Sequence, residues 1–438
     1  MKQTPTEDVV AFLSFSHDAH DHLNAIGNFS RRDWEHVRQW LDDAGLAFYF
    51  LQKLKDTNAA GIVPAPVLSR LERNFASNQA RVEDMAHRFN AINNKFNNVG
   101  VRYVVVKGFS LVPRFCPLAS LRHQGDFDYL VEDPSVPAAR RVVVEAGYSS
   151  QDSVSRNELI FVTPGAKPSR SDEQYSPQAP HAVELHTAIW DGEMHGLQPI
   201  PELFSVKEAR TRRWNGYVFP AQTDQDAFLL QVLHACRHLF TQWIRMSCLL
   251  EIGYFLNQRS SDAELWSGIG RRVQDSAILR EFVVIATQLA SRLFAAPVPP
   301  LIKDWEAGIR PGPRVWIENY ARKWAFCGLP VYEFSLFPRS KLALFLQRQY
   351  RATSVPRSLV PQNRTPSRLS RMASSIKKNP SLLLNGDWWK RQLPVRRSIF
   401  YALAEARYLC EVPRWRWLIR TSATTSSGRS FVGTKSTS

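Results

Sequence analysis

Two aspartates one residue apart, Asp126 and Asp128, lie within the run Gly125-Asp126-Phe127-Asp128-Tyr129-Leu130-Val131. The apolar residues between and after them predict a β-strand, on which successive side chains alternate between faces. Both carboxylates are then on one face, while Phe127 and Tyr129 point into a core. Neighbouring carboxylates repel each other unless a cation neutralises them, and hard oxygen ligands suit Mg²⁺. The pair therefore indicates phosphoryl or nucleotidyl transfer, although an isolated pair of this kind also occurs on solvated edge strands.

A second predicted strand leads into a short glycine-containing turn. The β-branched run 101–106 predicts a buried strand, and it ends in Lys107-Gly108-Phe109-Ser110. A glycine lets the backbone approach a phosphate closely because it has no Cβ, and a serine hydroxyl can donate a hydrogen bond there. Lys107 and Arg122 could offset phosphate charge, or each could have only a structural role.

A third strand-like run covers residues 182–186 and carries Glu184 and His186 on one face. Further along, His234 and His238 lie four residues apart on a predicted helix that begins near Asp224. A zinc-protease motif needs a glutamate directly after the first histidine, and the alanine at that position excludes it. The two histidines either line the substrate side of a cleft or pack within the helical region.

The order of these elements resembles that of the nucleotidyltransferase superfamily to which DNA polymerase β belongs. The closer resemblance, over roughly residues 30–260, is to its family of uncharacterised nucleotidyltransferases. The motifs that carry it are, in chain order, Lys107-Gly108, Arg122, Gly125-Asp126-Phe127-Asp128, Glu184-Leu185-His186, and His234 with His238. Two features depart from the superfamily pattern: Phe109 separates the glycine from the serine, and the third carboxylate is a glutamate.

The resemblance implies transfer of a nucleoside monophosphate from an NTP to an unidentified acceptor hydroxyl by a two-metal mechanism. It implies two Mg²⁺ ions, with Mn²⁺ as an alternative, bound by the catalytic residues Asp126, Asp128 and Glu184. It also implies a nucleotide site and a substrate cleft, formed respectively by Lys107, Gly108, Ser110 and Arg122, and by His186, His234 and His238.

The composition is that of a globular protein without a disulfide framework. The chain has 438 residues, of which 44% are hydrophobic and 22% charged. Its five cysteines are scattered and form no CxxC pair, which is typical of a reducing compartment. The N-terminus lacks the pattern of a signal peptide, and no apolar run approaches the length of a membrane span. We therefore expect a cytoplasmic protein, with peripheral membrane association as an alternative.

The net charge of +16 is concentrated at the C-terminal end. Residues 334–438 contain 20 Lys/Arg and 3 Asp/Glu, whereas the remainder contains 36 and 37. Cations and aromatic residues alternate at 414–417. This region could bind an anionic membrane surface or nucleic acid, or it could pack against the rest of the chain.

The predicted fold is α+β, with a small mixed β-sheet as the nucleotidyltransferase core and helical regions on both sides of it. The predicted segments are an N-terminal helical region at 1–79, the core at 80–190, a helical domain at 191–333, a basic helical region at 334–420 and a disordered tail at 421–438. Ser30, with Asp33 three residues on, predicts a helix N-terminus, and a second helix is predicted over roughly Asn78–Asn97. The alternative function is a catalytically inactive adaptor of the same fold that docks on a membrane surface or nucleic acid through residues 334–420.

Overall fold

The computed structural model of the chain describes residues 3–151, 157–164, 174–189, 204–241, 245–319, 321–326, 413–414 and 416–421. The chain divides into two compact units. The larger unit comprises residues 1–195, 199–237 and 244–308, and the smaller one comprises 196–198, 238–243 and 309–438.

Five helices precede the sheet, as the sequence predicts for this part of the chain. They are α1 (Pro5–Phe12), α2 (His22–Gly27), α3 (Arg31–Ala44), α4 (Ala47–Asp56) and α5 (Ala65–Asn98). The predicted start of α3 is confirmed, since the Ser30 hydroxyl accepts from the Asp33 amide and the Asp33 carboxylate accepts from the Ser30 amide. The start predicted for α5, near Asn78, is wrong, because the helix already begins after Pro64 and has Pro66 in its first turn.

Seven strands form one mixed sheet. They are β1 (Tyr103–Val105), β2 (Asp126–Val131), β3 (Ser149–Gln151), β4 (Glu158–Val162), β5 (Ala182–His186), β6 (Arg210–Trp214) and β7 (Tyr217–Ala221), and helix α6 (Val136–Glu145) connects β2 to β3. The strand order is β3-β4-β5-β2-β1-β7-β6. The β2–β5 and β1–β7 pairs are parallel and the other pairs are antiparallel. The predicted α+β class with a mixed sheet and flanking helices is confirmed.

One face of the sheet packs on α5 and α6 and forms an apolar core. Phe89 of α5 lies near its centre, and its ring contacts those of Phe127 and Tyr129 on β2 at centroid distances of 5.8 and 6.2 Å. Because side chains alternate along a strand, burial of Phe127 and Tyr129 on this face directs Asp126 and Asp128 to the other.

The hairpin of β6 and β7 was not predicted from the sequence. Its turn is Asn215-Gly216, and both residues have positive φ values, 48° and 80°. Two consecutive positive φ values give a two-residue turn whose twist matches that of the strands. The sheet thus receives two strands from beyond residue 190, and the division of the chain into domains stays a prediction.

Helices dominate after the sheet, as predicted from residue 224 onward. The larger unit contains α7 (Asp224–Thr241, whose last turn belongs to the smaller unit), α8 (Met246–Arg259), α9 (Ala263–Val273), α10 (Ala277–Phe294) and α11 (Pro300–Gly308). The smaller unit contains α12 (Pro311–Asn319) and α13 (Ala321–Ala325). Among the residues described, no helix combines the length and the apolar character that crossing a bilayer requires.

The predicted basic region at 334–420 and the tail at 421–438 lie outside the described residues, except for 413–414 and 416–421. Those few residues are helical, and the indole of Trp417 is 62% exposed. Binding of a membrane surface or nucleic acid by this region stays a prediction.

Candidate active site

The pairing of β2 with β5 brings two predicted catalytic carboxylates side by side. The strands are parallel, and Asp128 is the register partner of Glu184. Residues in register on neighbouring strands project from the same face. One oxygen of Asp128, one oxygen of Glu184 and one nitrogen of His186 lie within 4.8 Å of one another. Asp126, two residues before Asp128, is on the same face of β2.

Asp128 is buried and has two cationic partners. Its Oδ1 accepts from Lys107 Nζ at 2.5 Å and lies 3.2 Å from His186 Nε2. Burial raises the pKa of Asp128, but the charges of Lys107 and His186 outweigh it and hold that pKa well below its usual range. The same cluster raises the pKa of Lys107, because the neighbouring carboxylates more than compensate for its burial. Lys107 and Asp128 therefore remain a charged pair.

Asp126 has the opposite electrostatic environment. Burial, followed by the negative charges of Asp128 and Glu184, raises the pKa of Asp126 to about 7, and the more distant charges of Lys107 and Arg122 only partly offset them. Three carboxylates thus lie on one face of the sheet, and the nearby cations of the protein neutralise only part of their negative charge. An added cation would relieve this repulsion.

His186 is a counter-ion to the acidic cluster. Burial lowers its pKa, but hydrogen bonds with Asp128 and Glu184 raise it to about 9, so the imidazole is protonated at neutral pH. Its Nδ1 lies 3.5 Å from an oxygen of Glu158 on β4, the register partner of His186. Sequence reasoning missed Glu158. The available signal was the alternation of side chains along β4, which places Glu158 on the same face as the acidic cluster once β4 is paired with β5.

The donor atoms of the cluster fit a divalent cation. Asp128 Oδ2 is buried and has no hydrogen-bond partner among the described residues, which is unusual for a carboxylate oxygen. Glu184 supplies the second carboxylate of this group, and Asp126, on the same face of β2, is not part of it. His186 offers the third ligand atom of this group, an imidazole nitrogen, and the preference for Mg²⁺ or Mn²⁺ stays a prediction.

The turn after β1 depends on Gly108. Its φ is +59°, and a Cβ at this position would lie 2.5 Å from Nε2 of Gln124. Glycine is needed here for both reasons. Ser110 is 2% exposed, and its hydroxyl donates to the carbonyl oxygen of Lys107 at 3.0 Å. That hydroxyl stabilises the turn, and binding of phosphate by Gly108 and Ser110 stays a prediction.

Arg122 is paired with a residue that sequence reasoning did not connect with it. Its Nε donates to Glu251 Oε1 on α8 at 2.7 Å, and the hydroxyl of Tyr49 donates to the same oxygen at 3.1 Å. Arg122 is nevertheless near enough to lower the pKa of Asp126. A contact between residues so far apart in sequence leaves no local signal. Nucleotide binding by Arg122 stays a prediction.

A small cavity lies beside the acidic cluster and is lined by one of the two predicted histidines. His234 of α7 lines it together with Lys107 and His186 from the sheet, and the remaining lining residues are Ile189, Leu230, Leu233 and Arg237. Sequence reasoning missed Arg237, which lies three residues after His234 and therefore near it on the helix surface. His238 is half-buried on the next turn of α7. A substrate role for His186, His234 and His238 stays a prediction.

Comparisons with known proteins add to this geometry. A search of curated protein sequences finds no match. The solved structure of an antigenic nucleotidyltransferase-like protein from Paracoccidioides brasiliensis is similar at 10% sequence identity, with a TM-score of 0.27, over 48% of this chain and 91% of that chain. The sequence pattern of the family described as uncharacterised nucleotidyltransferase matches residues 30–295, more than half of the chain. The protein therefore belongs to the uncharacterised nucleotidyltransferase family.

Proposed function

We propose that the protein is a nucleotidyltransferase that transfers a nucleoside monophosphate from an NTP to an acceptor hydroxyl and uses divalent metal ions. The observation that carries the proposal is the register of β2 and β5. It aligns Asp128 with Glu184 on the face that also holds Asp126. Family membership supports the same reaction class.

The reaction assigns a separate task to each group in the cluster. The acceptor oxygen forms a bond to the α-phosphorus, the bond from that phosphorus to the bridging oxygen of pyrophosphate breaks, and pyrophosphate leaves. Asp126 and Asp128 bind metal, and Glu184 is either the third ligand or the acceptor of the hydroxyl proton. Mg²⁺ or Mn²⁺ held by these carboxylates would neutralise charge on the triphosphate and would lower the pKa of the acceptor hydroxyl.

The cations around the cluster would orient the nucleotide. Lys107 faces both the acidic cluster and the small cavity lined by His234 and Arg237. An ammonium and a guanidinium that line one cavity can each donate charge-assisted hydrogen bonds to a phosphate oxygen. Lys107 would exchange part of its contact with Asp128 for such a bond when a cation binds the carboxylate.

Release of pyrophosphate tests this proposal. Each of the four NTPs is incubated with Mg²⁺ and pools of hydroxyl-bearing acceptors, and pyrophosphate is measured for the wild type and for the double variant Asp126→Asn/Asp128→Asn. We expect the variant to lose activity by a factor on the order of 100 or more. Asp133→Asn is the matched control, because this exposed aspartate follows the same strand outside the cluster. Equal turnover by wild type and double variant would refute the assignment.

The alternative of a catalytically inactive adaptor depends on residues 334–420. Almost all of them lie outside the described part of the chain, and no observation on the described residues favours this function. It stays a prediction.

A further inference from the structure

A second and larger cavity lies at the sheet edge formed by β7 and β6. Its volume is about 380 Å³, in the range of small-molecule sites. Gln222, the residue after β7, forms part of its wall, and Ala221 before it pairs with Val105 of β1. Since β1 lies between β7 and β2, the cavity is two strands away from Asp128, or roughly 10 Å at the usual strand spacing.

Gln222 gives the first indication that this cavity holds a ligand. The residue is only 7% exposed, and neither Nε2 nor Oε1 of its amide has a hydrogen-bond partner among the described residues. Nε of Arg114, another lining residue, is also buried without a partner. Burying an unpaired amide costs about 1–3 kcal/mol, so such groups normally have a partner. A ligand with both donor and acceptor groups would provide one.

The charges around the cavity favour an anion. Two of the acidic lining residues are already neutralised: Asp224 accepts from Arg114 and Arg259, and Asp262 accepts from Arg259 and from the backbone amide of Leu265. The third, Glu264, is exposed at the first turn of α9.

Two further arginines on β6 line the cavity. Arg212 Nη2 lies 3.9 Å from Oδ1 of Asp224, beyond hydrogen-bond distance, and its Nη1 donates to the carbonyl oxygen of Val112 at 3.4 Å. Arg210 is exposed and has no ion-pair or hydrogen-bond partner for its side chain in the described parts of the chain. Two guanidinium groups facing a polar cavity are suited to bidentate contacts with phosphate oxygens.

We propose that this cavity is a binding site for a small hydroxylated phosphate ester, separate from the acidic cluster. Its phosphate is bound by Arg210 and Arg212, and its hydroxyl groups pair with the amide of Gln222. Arg114 connects the site to the turn after β1, because its Nη2 donates to the carbonyl oxygen of Ser110 at 2.9 Å. The site rests on its own residues and does not require the proposed transferase activity.

Titration calorimetry on the full chain without metal tests the proposal. Ribose 5-phosphate is the probe, and ribose and sodium acetate at equal ionic strength are the references. We expect ribose 5-phosphate to bind and the two references not to bind. Arg210→Ala should weaken binding about tenfold, whereas Arg213→Ala should leave it unchanged. Arg213 is the matched control, since it is exposed on the same strand but does not line the cavity.

Gln222→Leu tests whether the amide of Gln222 binds a ligand or is only a buried polar group. We expect this variant to bind ribose 5-phosphate at least tenfold more weakly. Its thermal midpoint without ligand should rise by about 2 °C, because an apolar side chain of similar volume removes the unpaired amide. Binding that is equal in wild type, Arg210→Ala and Gln222→Leu, or the absence of any binding by the wild type, would overturn the proposal.

Discussion

The buried pair of Arg122 and Glu251 allows a quantitative test of how the acidic site is supported. The side chain of Glu251 is 2% exposed and that of Arg122 is 19% exposed. Removing one partner of such a pair leaves a charge in a poorly hydrated place, which typically costs about 3–5 kcal/mol. Because Arg122 keeps some contact with solvent, we expect Glu251→Leu to lower the free energy of unfolding by about 3 kcal/mol, at the low end of this range.

Replacing both partners should reverse most of that loss. Arg122→Met alone leaves Glu251, among the described residues, with only the hydroxyl of Tyr49 as a donor, so we again expect a loss of about 3 kcal/mol. In the double variant Arg122→Met/Glu251→Leu neither position carries a charge, and the free energy of unfolding should fall by only about 1 kcal/mol relative to the wild type. The coupling energy from the four proteins is then about 5 kcal/mol.

Urea unfolding followed by tryptophan fluorescence gives the four free energies. A double variant whose loss equals the sum of the two single losses would refute the reasoning, because the two side chains would then act independently. The folded double variant also distinguishes pairing with Glu251 from nucleotide binding as the role of Arg122. A loss of affinity for Mg·NTP in this protein would assign Arg122 to the nucleotide site, since no unpaired buried Glu251 is left to destabilise the fold.

Two further changes concern the glycine turn and a buried histidine. Gly108→Ala should lower the free energy of unfolding by more than about 2 kcal/mol, since the φ of Gly108 is positive and the new Cβ would meet Gln124. Gly100→Ala, with φ of 71° and open space around its Cβ, should lower it by only about 1 kcal/mol. Chemical denaturation compares the two variants, and equal losses would contradict the proposed clash. Burial, reinforced by nearby arginines, lowers the pKa of His181 to about 4, and its Nε2 is hydrogen-bonded to the hydroxyl of Tyr148 at 2.6 Å. The neutral, buried His181 therefore contributes its full stabilisation to the protein above about pH 6.5. As the pH falls toward 4, the free energy of unfolding decreases by at most about 1.4 kcal/mol per pH unit, because the unfolded chain binds a proton that the folded one does not. His181→Gln should show a shallower fall of unfolding free energy over this interval, and an unchanged slope would argue against a depressed pKa.

The strand of the two aspartates was predictable with its bounds, because its apolar residues face a core while Asp126 and Asp128 face away from it. The start of α5 was missed, although Leu68, Leu71 and Phe75 have helical spacing and a proline such as Pro66 is tolerated in a first helical turn. The β6–β7 hairpin was missed because β6 contains three arginines and no regular apolar alternation. Its Asn215-Gly216 turn was nevertheless a usable signal.

The approach of Glu184 to Asp128 agrees with the sequence analysis, while the metal-binding and catalytic roles of Asp126, Asp128 and Glu184 stay predictions and the contacts around them were not predicted. Asp126, Asp128 and Glu184 are local features of two strand-like runs, and a shared face for the first two follows from strand geometry alone. The pairing of Arg122 with Glu251 joins residues 129 positions apart, and the contact of His186 with Glu158 depends on which strand lies next to β5. Such contacts are set by the packing of the whole chain, so a single sequence does not show which of these residues pair.

Calorimetric titration with Mn²⁺, and with Mg²⁺ and a non-hydrolysable NTP analogue, tests the central claim most directly. We propose that Asp126, Asp128 and Glu184 together bind divalent cations, so the wild type should bind Mn²⁺ and should bind the nucleotide analogue only when the metal is present. Asp126→Asn/Asp128→Asn should lose both, while Asp133→Asn should behave like the wild type. Metal and nucleotide binding that persists undiminished in the double variant would contradict the account.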